Sequence, residues 1–564
     1  DAGVTSASLA SVPLELQRAL APVVNALSAS WQTIQDARAP ASALLVPFGQ
    51  APDWVRGVLA YKWTAAQLTA FDSVDVGAMA QAALWIATAV ESADLKRFAG
   101  ATFDAVTLDT PLGKFVMRGA GNDDYEPGND LENAAFLLDT GGDDTYRVPV
   151  GATTTTKPLS IAIDLGGKDD YGYVPVPNAS DNAGHRLPSD AGGRVSGISR
   201  SKIMREGAAL LGVAMLFDYG QDGDRYRSLI ASQGVGVFGV GVLFDEGGDD
   251  DYAAESLAQG AGAWGIGLLL DGAGNDKYLA YNSAEGFGFT HGVGALVDEA
   301  GDDTYYTDPG DPAVGGDALY PNAQLPTAGN TSMSQGCGEG HRPDSPDPGY
   351  EFPGGLGVLR DAHGKDSYTT SVFGQACSFA MGIGMLLEGD GDDTYEGLWY
   401  VQGAAAHTGV AYFDDKAGND RYDPTFPIRS TSIGVGHDYS SVLHYDEAGD
   451  DTYHGPNLSL GSGFDKGVGM MLVTNGTDTF RADSPLSLGA AGAPDMVGTA
   501  RAKLQTLGVF VKASGAGSYV IGGADAGTYP GGNWSDTPEN DPDAGLTAEK
   551  SVGADRPNAS ASWP

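Results

Sequence analysis

The chain has 564 residues, of which 83 are glycine, about twice ordinary usage, with 42% hydrophobic and 19% charged residues. That apolar content excludes disorder by charge, glycines without a three-residue register exclude collagen, and no run approaches the roughly 18 apolar residues of a membrane span. Lys and Arg number 32 against 74 acids, a formal charge of −42, which excludes nucleic acid and anionic membranes as partners. Only 16 of those acids are Glu. Asp concentrated beside Gly points to turns, caps or metal ligands.

The chain opens Asp1-Ala2-Gly3 without Met, which reads as a processed or trimmed form and fits export. Residues 1–104 are Ala/Leu-rich, with helical periodicity from Val12 through Ala37 and from Val76 through Phe98. They are expected to form a helical N-terminal cap over the first coil of a repeat that begins near residue 105, because an open sheet end is adhesive.

From 105 to 490 the chain repeats itself. Asp245-Glu-Gly-Gly-Asp-Asp-Asp-Tyr252 returns as Asp271-Gly-Ala-Gly-Asn-Asp-Lys-Tyr278 and as Asp298-Glu-Ala-Gly-Asp-Asp-Thr-Tyr305. Further copies end at Tyr125, Tyr146, Tyr171, Tyr226, Tyr368, Tyr395, Tyr422 and Tyr453, and a decayed one at Phe480. Steps cluster at 26–27 residues, and two long steps, of 55 and 63, read as paired or expanded coils with loops near 174–205 and 306–350. In all twelve copies Asp lies two before the aromatic, and in nine an acid lies seven before it, the exceptions being Arg118, Tyr219 and Val473. Gly lies four before it in all but the Tyr226 copy.

Strand-like runs such as 236–244 precede each turn, Gly alternating with Val, Ile or Leu in period 2. Such strands are weak alone and gain hydrogen bonds on both sides when stacked. The predicted fold is all-β, a parallel β-solenoid (β-helix) of about a dozen coils. A propeller blade needs about 40 residues, and the leucine-rich signature is missing. Residues 491–564 are expected to be a degenerate capping coil, 507–519 stripped of its acids, followed by an extended tail.

Stacked coils bring equivalent carboxylates to about 4.8 Å, where full charges repel by roughly 3–4 kcal/mol at an effective dielectric near 20. Divalent cations offset this, and hard Asp oxygens suit Ca²⁺. The candidate ligands are Asp139 and Asp144, Asp164 and Asp169, Asp245 and Asp250, Asp271 and Asp276, Asp298 and Asp303, Asp361 and Asp366, Glu388 and Asp393, Asp415 and Asp420, and Asp446 and Asp451. The form Gly-x-Gly-Asn-Asp-x-Tyr, at 272–278 and 119–125, resembles the RTX, or hemolysin-type, calcium-binding nonapeptide repeat. The resemblance implies a Ca²⁺ ligand role for Asp276 and its equivalents between coils of a parallel β-roll. RTX nonapeptides run two per coil, whereas this chain has one turn per 26–27 residues, so the resemblance covers about eight residues per coil. The alternative is that the Asp side chains cap their own turns, with Tyr packing on the coil above.

A second ladder, Gln233, Gln259, Glu285, Gln335, Gln375 and Gln402, reads either as a groove for sugar hydroxyls or as amides bonded along the stack. His407, His437, His444 and His454 are scattered, and no HExxH, CxxC or GxSxG motif is present. Cys337 and Cys377 each sit two residues after a ladder Gln, at the same repeat position of consecutive coils, and are predicted to form a disulfide.

The expected function is that of an exported calcium-binding structural or cell-surface protein, secreted, periplasmic or on the cell surface, with a scaffold, adhesion or assembly role. Its expected partners are surface or extracellular proteins or polysaccharide, or further copies in an oligomer or filament. The alternative is a β-helix polysaccharide lyase or hydrolase using Ca²⁺, its site breaking the repeat at Arg186, Arg194, Arg200, Lys202 and Arg205 or at His341 and Arg342. A third reading, halophilic acidity without specific metal, disagrees with the periodic placement of the acids.

Overall fold

The computed structural model describes residues 9–44, 69–128, 134–173, 204–310, 318–341, 352–422, 430–484, 487–492, 506–527, 535–538 and 548–555. They form a parallel β-solenoid of about 11 turns with helices at the N-terminus. The chain divides into two compact units, Asp1–Ala280 with Gly292–Asp298, and Tyr281–His291 with Glu299–Pro564.

Each coil of the first unit has three sides. The long side stacks Gly113–Met117, Phe136–Leu138, Leu159–Asp164, Val213–Asp218, Val240–Asp245, Ile266–Asp271 and Val293–Asp298 in parallel register, Val240 opposite both Val213 and Ile266. Short strands carrying the repeat tyrosines, from Asp124–Tyr125 to Lys277–Ala280, make the second side, and Ala209–Leu210, Gly236–Val237 and Gly262–Ala263 the third. Tyr226 stacks directly on Tyr171 at 4.8 Å, so the 55-residue step is one expanded coil, not two paired ones. The second unit repeats the plan. Its long side runs from Leu356–Arg360 through Leu507–Lys512 to Ala548–Asp555, and its tyrosine side from Thr304–Thr307 to Ala516–Ile521. Tyr305 stacks on Tyr368 at 4.8 Å, so the 63-residue step is likewise a single expanded coil.

Along the long strands the alternation separates two faces. Gly241, Leu243 and Asp245 point inward, whereas Val242 and Phe244 stay partly exposed. Glycine occupies the first inward position because a Cβ there would lie 2.0 Å from the Val235 carbonyl of the third side. Leu243 fills the core and Asp245 begins the turn.

Helices α1 (Leu14–Arg38) and α2 (Val76–Ser92) pack on each other, and α2 meets the strands Val213–Asp218 and Val240–Asp245. Their apolar stripes share a core with Phe115, Phe136, Ile161, Met215, Phe217 and Val240. The expected cap over the first coil is therefore a cover along the outer face of the long side, where bulky outward residues need a partner. The stretch Thr69–Ser92 has the length and mean hydropathy, 1.3, of a candidate span, and a third of it is buried within the fold. Edge protection comes from antiparallel strands instead. Val106–Thr110 closes the start of the long side against Gly113–Met117, and Ser535–Pro538 pairs antiparallel with Ala548–Asp555. The coil at 507–521 continues the stack in register, Val473 opposite Lys512 and Phe480 opposite Tyr519.

Cys337 and Cys377 form a disulfide in adjacent coils, their Cα atoms 4.6 Å apart, with Gly338 opposite Ser378 in the ladder. Residues 174–203 of the first expanded loop, and 311–317 and 342–350 of the second, lie outside the described residues, and with them Arg186, Arg194, Arg200, Lys202 and Arg342.

At the turn position four before the aromatic, Gly142, Gly167, Gly248, Gly364, Gly391 and Gly476 have φ between +101° and +157°, whereas Gly274 is not among the positive-φ glycines. Gly274 is instead required by coil-to-coil approach, since a Cβ would stand 1.6 Å from the Gly248 carbonyl oxygen. Gly274→Ala is expected to cost about 2 kcal/mol or more, while Gly121→Ala, whose Cβ meets nothing within 4 Å, stays near wild type in chemical denaturation. Equal stabilities would contradict the close-approach account. The disulfide closes a loop with a sequence separation of 40, so the Cys337→Ala/Cys377→Ala double variant is expected to lose up to about 4 kcal/mol. A double variant that melts at the wild-type temperature would show that the bridge adds nothing.

Candidate metal sites

The turns are built from two carboxylates and, in most, the tyrosine of the coil before; Asp446 instead takes the hydroxyl of Tyr453 in its own turn, and Asp415 those of both Tyr395 and Tyr422. Asp245 ends its strand, its Oδ1 accepting the Gly247 N–H at 2.9 Å and its Oδ2 the Tyr226 hydroxyl at 2.5 Å. Asp271 repeats this with Ala273 N–H and the Tyr252 hydroxyl, and Asp361 with His363 N–H and the Tyr305 hydroxyl. Five residues on, Asp250 Oδ1 accepts the N–H of Asp224 from the preceding coil at 2.6 Å, and the Asp250 N–H donates to Asp276 Oδ1 at 2.7 Å. The same chain runs from Asp123 through Asp144, Asp169 and Asp224, and in the second unit from Asp303 through Asp366, Asp393, Asp420 and Asp451 to Asp478. Asx turns are thus present, as the capping alternative requires, and in the Tyr252 turn they combine with the tyrosine and inter-coil bonds to fill three of the four carboxylate oxygens; at Asp415 and Asp446 the Oδ1 as well is buried without a donor.

The fourth oxygen is the exception. Oδ2 of Asp144, Asp169, Asp224, Asp250, Asp393, Asp420 and Asp451 is buried without a hydrogen-bond donor. It faces other carboxylates. Asp123, Asp139 and Asp144 bring one oxygen each within 4.8 Å of one another, as do Asp144, Asp164 and Asp169; Asp169, Asp218 and Asp224; Asp224, Asp245 and Asp250; and Asp250, Asp271 and Asp276, with five more such groups. Among the described ion pairs, no Lys, Arg or His side chain pairs with a carboxylate of the groups between Asp144 and Asp250. All-oxygen, anionic and spaced within 4.8 Å, these groups have the chemistry of a hard divalent cation site.

The spacing rule misses Asp218. The turn before Tyr226 carries one extra residue, so its acid lies eight before the tyrosine; the register sets Asp218 opposite Asp164 and Asp245, and its Oδ2 accepts the Tyr171 hydroxyl at 2.7 Å. Asp123 and Asp224 join groups as well. A search allowing one insertion in the Gly-rich stretch finds Asp218, and it explains why that copy alone lacks the Gly four before Tyr.

The other candidates are structural. The Gln ladder is buried; Gln233 Nε2 donates to the Tyr226 and Ala253 carbonyls at 2.9 and 3.3 Å, and Gln335 to those of Tyr305 and Thr369, so the amides hold main chain, while Gln335 also bonds Glu285 within the ladder. His444 lies in the core against Phe413, and burial lowers its pKa to about 4. His407 pairs with Asp438, and His454 with Asp483. Arg205 is buried with its guanidinium on the Gly172 carbonyl at 2.6 Å, within the coil wall. Comparison with known family models, curated proteins and solved structures gives no match.

Burial pushes the turn carboxyls up, to about 6 at Asp144 and about 7 at Asp250 and Asp451, with neighbouring acids adding to it. Raised values favour folding in the protonated form. That contribution is complete below the unfolded carboxyl value of about 4 and is lost as pH rises through these folded values. In chelator, the melting temperature is therefore expected to fall between roughly pH 5 and 8, measured by calorimetry. A flat profile there would mean the carboxylates are neutralised by something other than protons or metal.

Proposed function

We propose that this chain is an exported, calcium-stiffened β-solenoid that serves as a scaffold or surface-attachment rod. One observation carries the reading: a buried carboxylate oxygen without a donor recurs coil after coil, each time facing two further carboxylates. A single ion pair would not explain such a series, and one cation per interval neutralises it. Ca²⁺ suits it best among common ions, because every ligand is a hard oxygen and the irregular geometry of an Asp-rich turn satisfies Ca²⁺ more readily than octahedral Mg²⁺. The likeness of 119–125 and 272–278 to the RTX nonapeptide supports the same ion, with one turn per coil in place of two. The Cys337–Cys377 bridge supports export, since disulfides persist in oxidising compartments. A dozen near-equivalent coils spread their chemistry evenly, which favours a structural role over a single active site.

The test is thermal melting in Ca²⁺ and in excess chelator. An ion bound only by the folded chain stabilises by about 2.7 kcal/mol per site at a hundredfold excess over Kd, so several sites together are expected to raise the melting temperature by many degrees. Superimposable melting curves at neutral pH would overturn the calcium reading and leave shared protons as the neutralising charge.

A further inference from the structure

The acidic column is interrupted by a cation. In the second unit the register aligns Glu388, Asp415, Asp446, Val473, Lys512 and Asp555 at one position of successive long strands. Lys512 therefore stands where other coils place the first carboxylate of the turn. It is fully buried, and its Nζ pairs with Asp478 Oδ2, also fully buried. The same ammonium donates to the carbonyls of Thr474 and Asn475 at 2.6 and 3.0 Å. Asp478 is the last Asp of the inter-coil chain, and its Oδ2 is the equivalent of the donorless oxygen of Asp451, Asp420 and Asp393. The next coil has no acid to contribute, Gly517 occupying the position two before Tyr519. At the start of the first unit Arg118 takes the same column position, its N–H on the Leu138 carbonyl beside Asp139; burial raises the Asp123 carboxyl there, and the Arg118 charge works against that rise.

We infer that Lys512 is a tethered cation: its ammonium fills a place in the cation column, held by one carboxylate oxygen and two main-chain carbonyls of the turn. The inference rests on the calcium reading, and it adds the ligand set. By equivalence, the ion in an interior coil sits on Oδ2 of the second Asp, near the two carbonyls that come after the first acid (in the Tyr252 coil, Asp250 with the carbonyls of Glu246 and Gly247), and is closed by the first acid of the next coil, Asp271. Lys512 supplies its own charge at that place, so no soluble ion is taken up there.

The experiment counts bound Ca²⁺ by equilibrium dialysis of the full chain, for wild type, Lys512→Asp, Lys512→Gln and Lys416→Gln. Lys416 is an exposed lysine paired with Asp414 and Glu447 outside the column, and its loss should leave the count unchanged. Lys512→Asp restores an acid and is expected to bind one more Ca²⁺ per chain than wild type. Lys512→Gln keeps the shape but strips Asp478 of its charge partner, and should gain more melting temperature from Ca²⁺ than wild type does. Equal, non-zero counts in wild type and Lys512→Asp overturn the inference alone. If Lys512→Asp does not fold, an unchanged Ca²⁺-dependent shift in Lys512→Gln overturns it instead. A wild type that binds no Ca²⁺ removes the calcium reading and this inference with it.

Discussion

Burying three carboxylates within 4.8 Å at turn after turn, in ten groups among the described residues, is the constraint around which this solenoid is organised. Left as bare charges they would repel by roughly 3–4 kcal/mol per neighbouring pair at an effective dielectric near 20, an amount that recurs along the stack. The fold answers first with donors. In the Tyr252 turn an Asx-turn N–H, the tyrosine hydroxyl of the coil before and the N–H of the preceding Asp fix three oxygens, and each of the last two bonds crosses from one coil to the next. The acids thus tie adjacent coils together with charge-assisted hydrogen bonds, which are stronger than neutral ones. What remains is net negative charge around the fourth oxygen, and this residue of the electrostatics is where a cation or a proton has to enter.

The same contacts dictate the rest of the coil. For a tyrosine hydroxyl to reach the next coil's acid, the rings must stack in register, and they do, with centroids 4.4–4.9 Å apart through the first unit. For the backbone N–H of one Asp to meet the carboxylate of the next, the turns must nest, so glycine faces carbonyl across the interval; a Cβ on Gly364 would lie 1.5 Å from the Gly301 oxygen, and one on Gly418 1.5 Å from that of Gly391. The high glycine content is therefore a consequence of close stacking at the turn and on the inward side of the long strands, and at Gly142, Gly167, Gly248, Gly364, Gly391 and Gly476 of positive φ as well. Left-handed conformations do occur, but at the Gln corner many fall on larger residues, among them Gln233 and Gln259, whose amides hold the chain there.

Much of this is legible in the sequence because a stacked repeat converts spacing into position. The Asp two before each aromatic, the parallel solenoid and the cysteine pair all come from equating residues one coil apart. The misses share a cause: each depends on something outside the period. Asp218 is hidden by a one-residue insertion that changes the count to tyrosine but leaves the strand register intact. The helices show amphipathic stripes, yet a stripe does not say which surface it covers, and the outward Val240, Val242 and Phe244 claim it rather than the open end. At Gly274 the repeat marks a glycine but shows no neighbour across the interval, and the obstruction is the Gly248 carbonyl.

A repeat of this kind also has to stop, since every coil is a template for another. The long side ends on antiparallel strands, which break the parallel register that an added coil would need. The charge column is broken by a different device. Lys512 stands at an acid's place, between Val473 and Asp555 in the register, and its ammonium pairs internally with Asp478, the last Asp of the inter-coil chain. At the start of the first unit Arg118 takes the equivalent place, and its charge works against the rise of the Asp123 carboxyl. Backbone and charge are thus handled by separate devices, one at the sheet edge and one inside the turn.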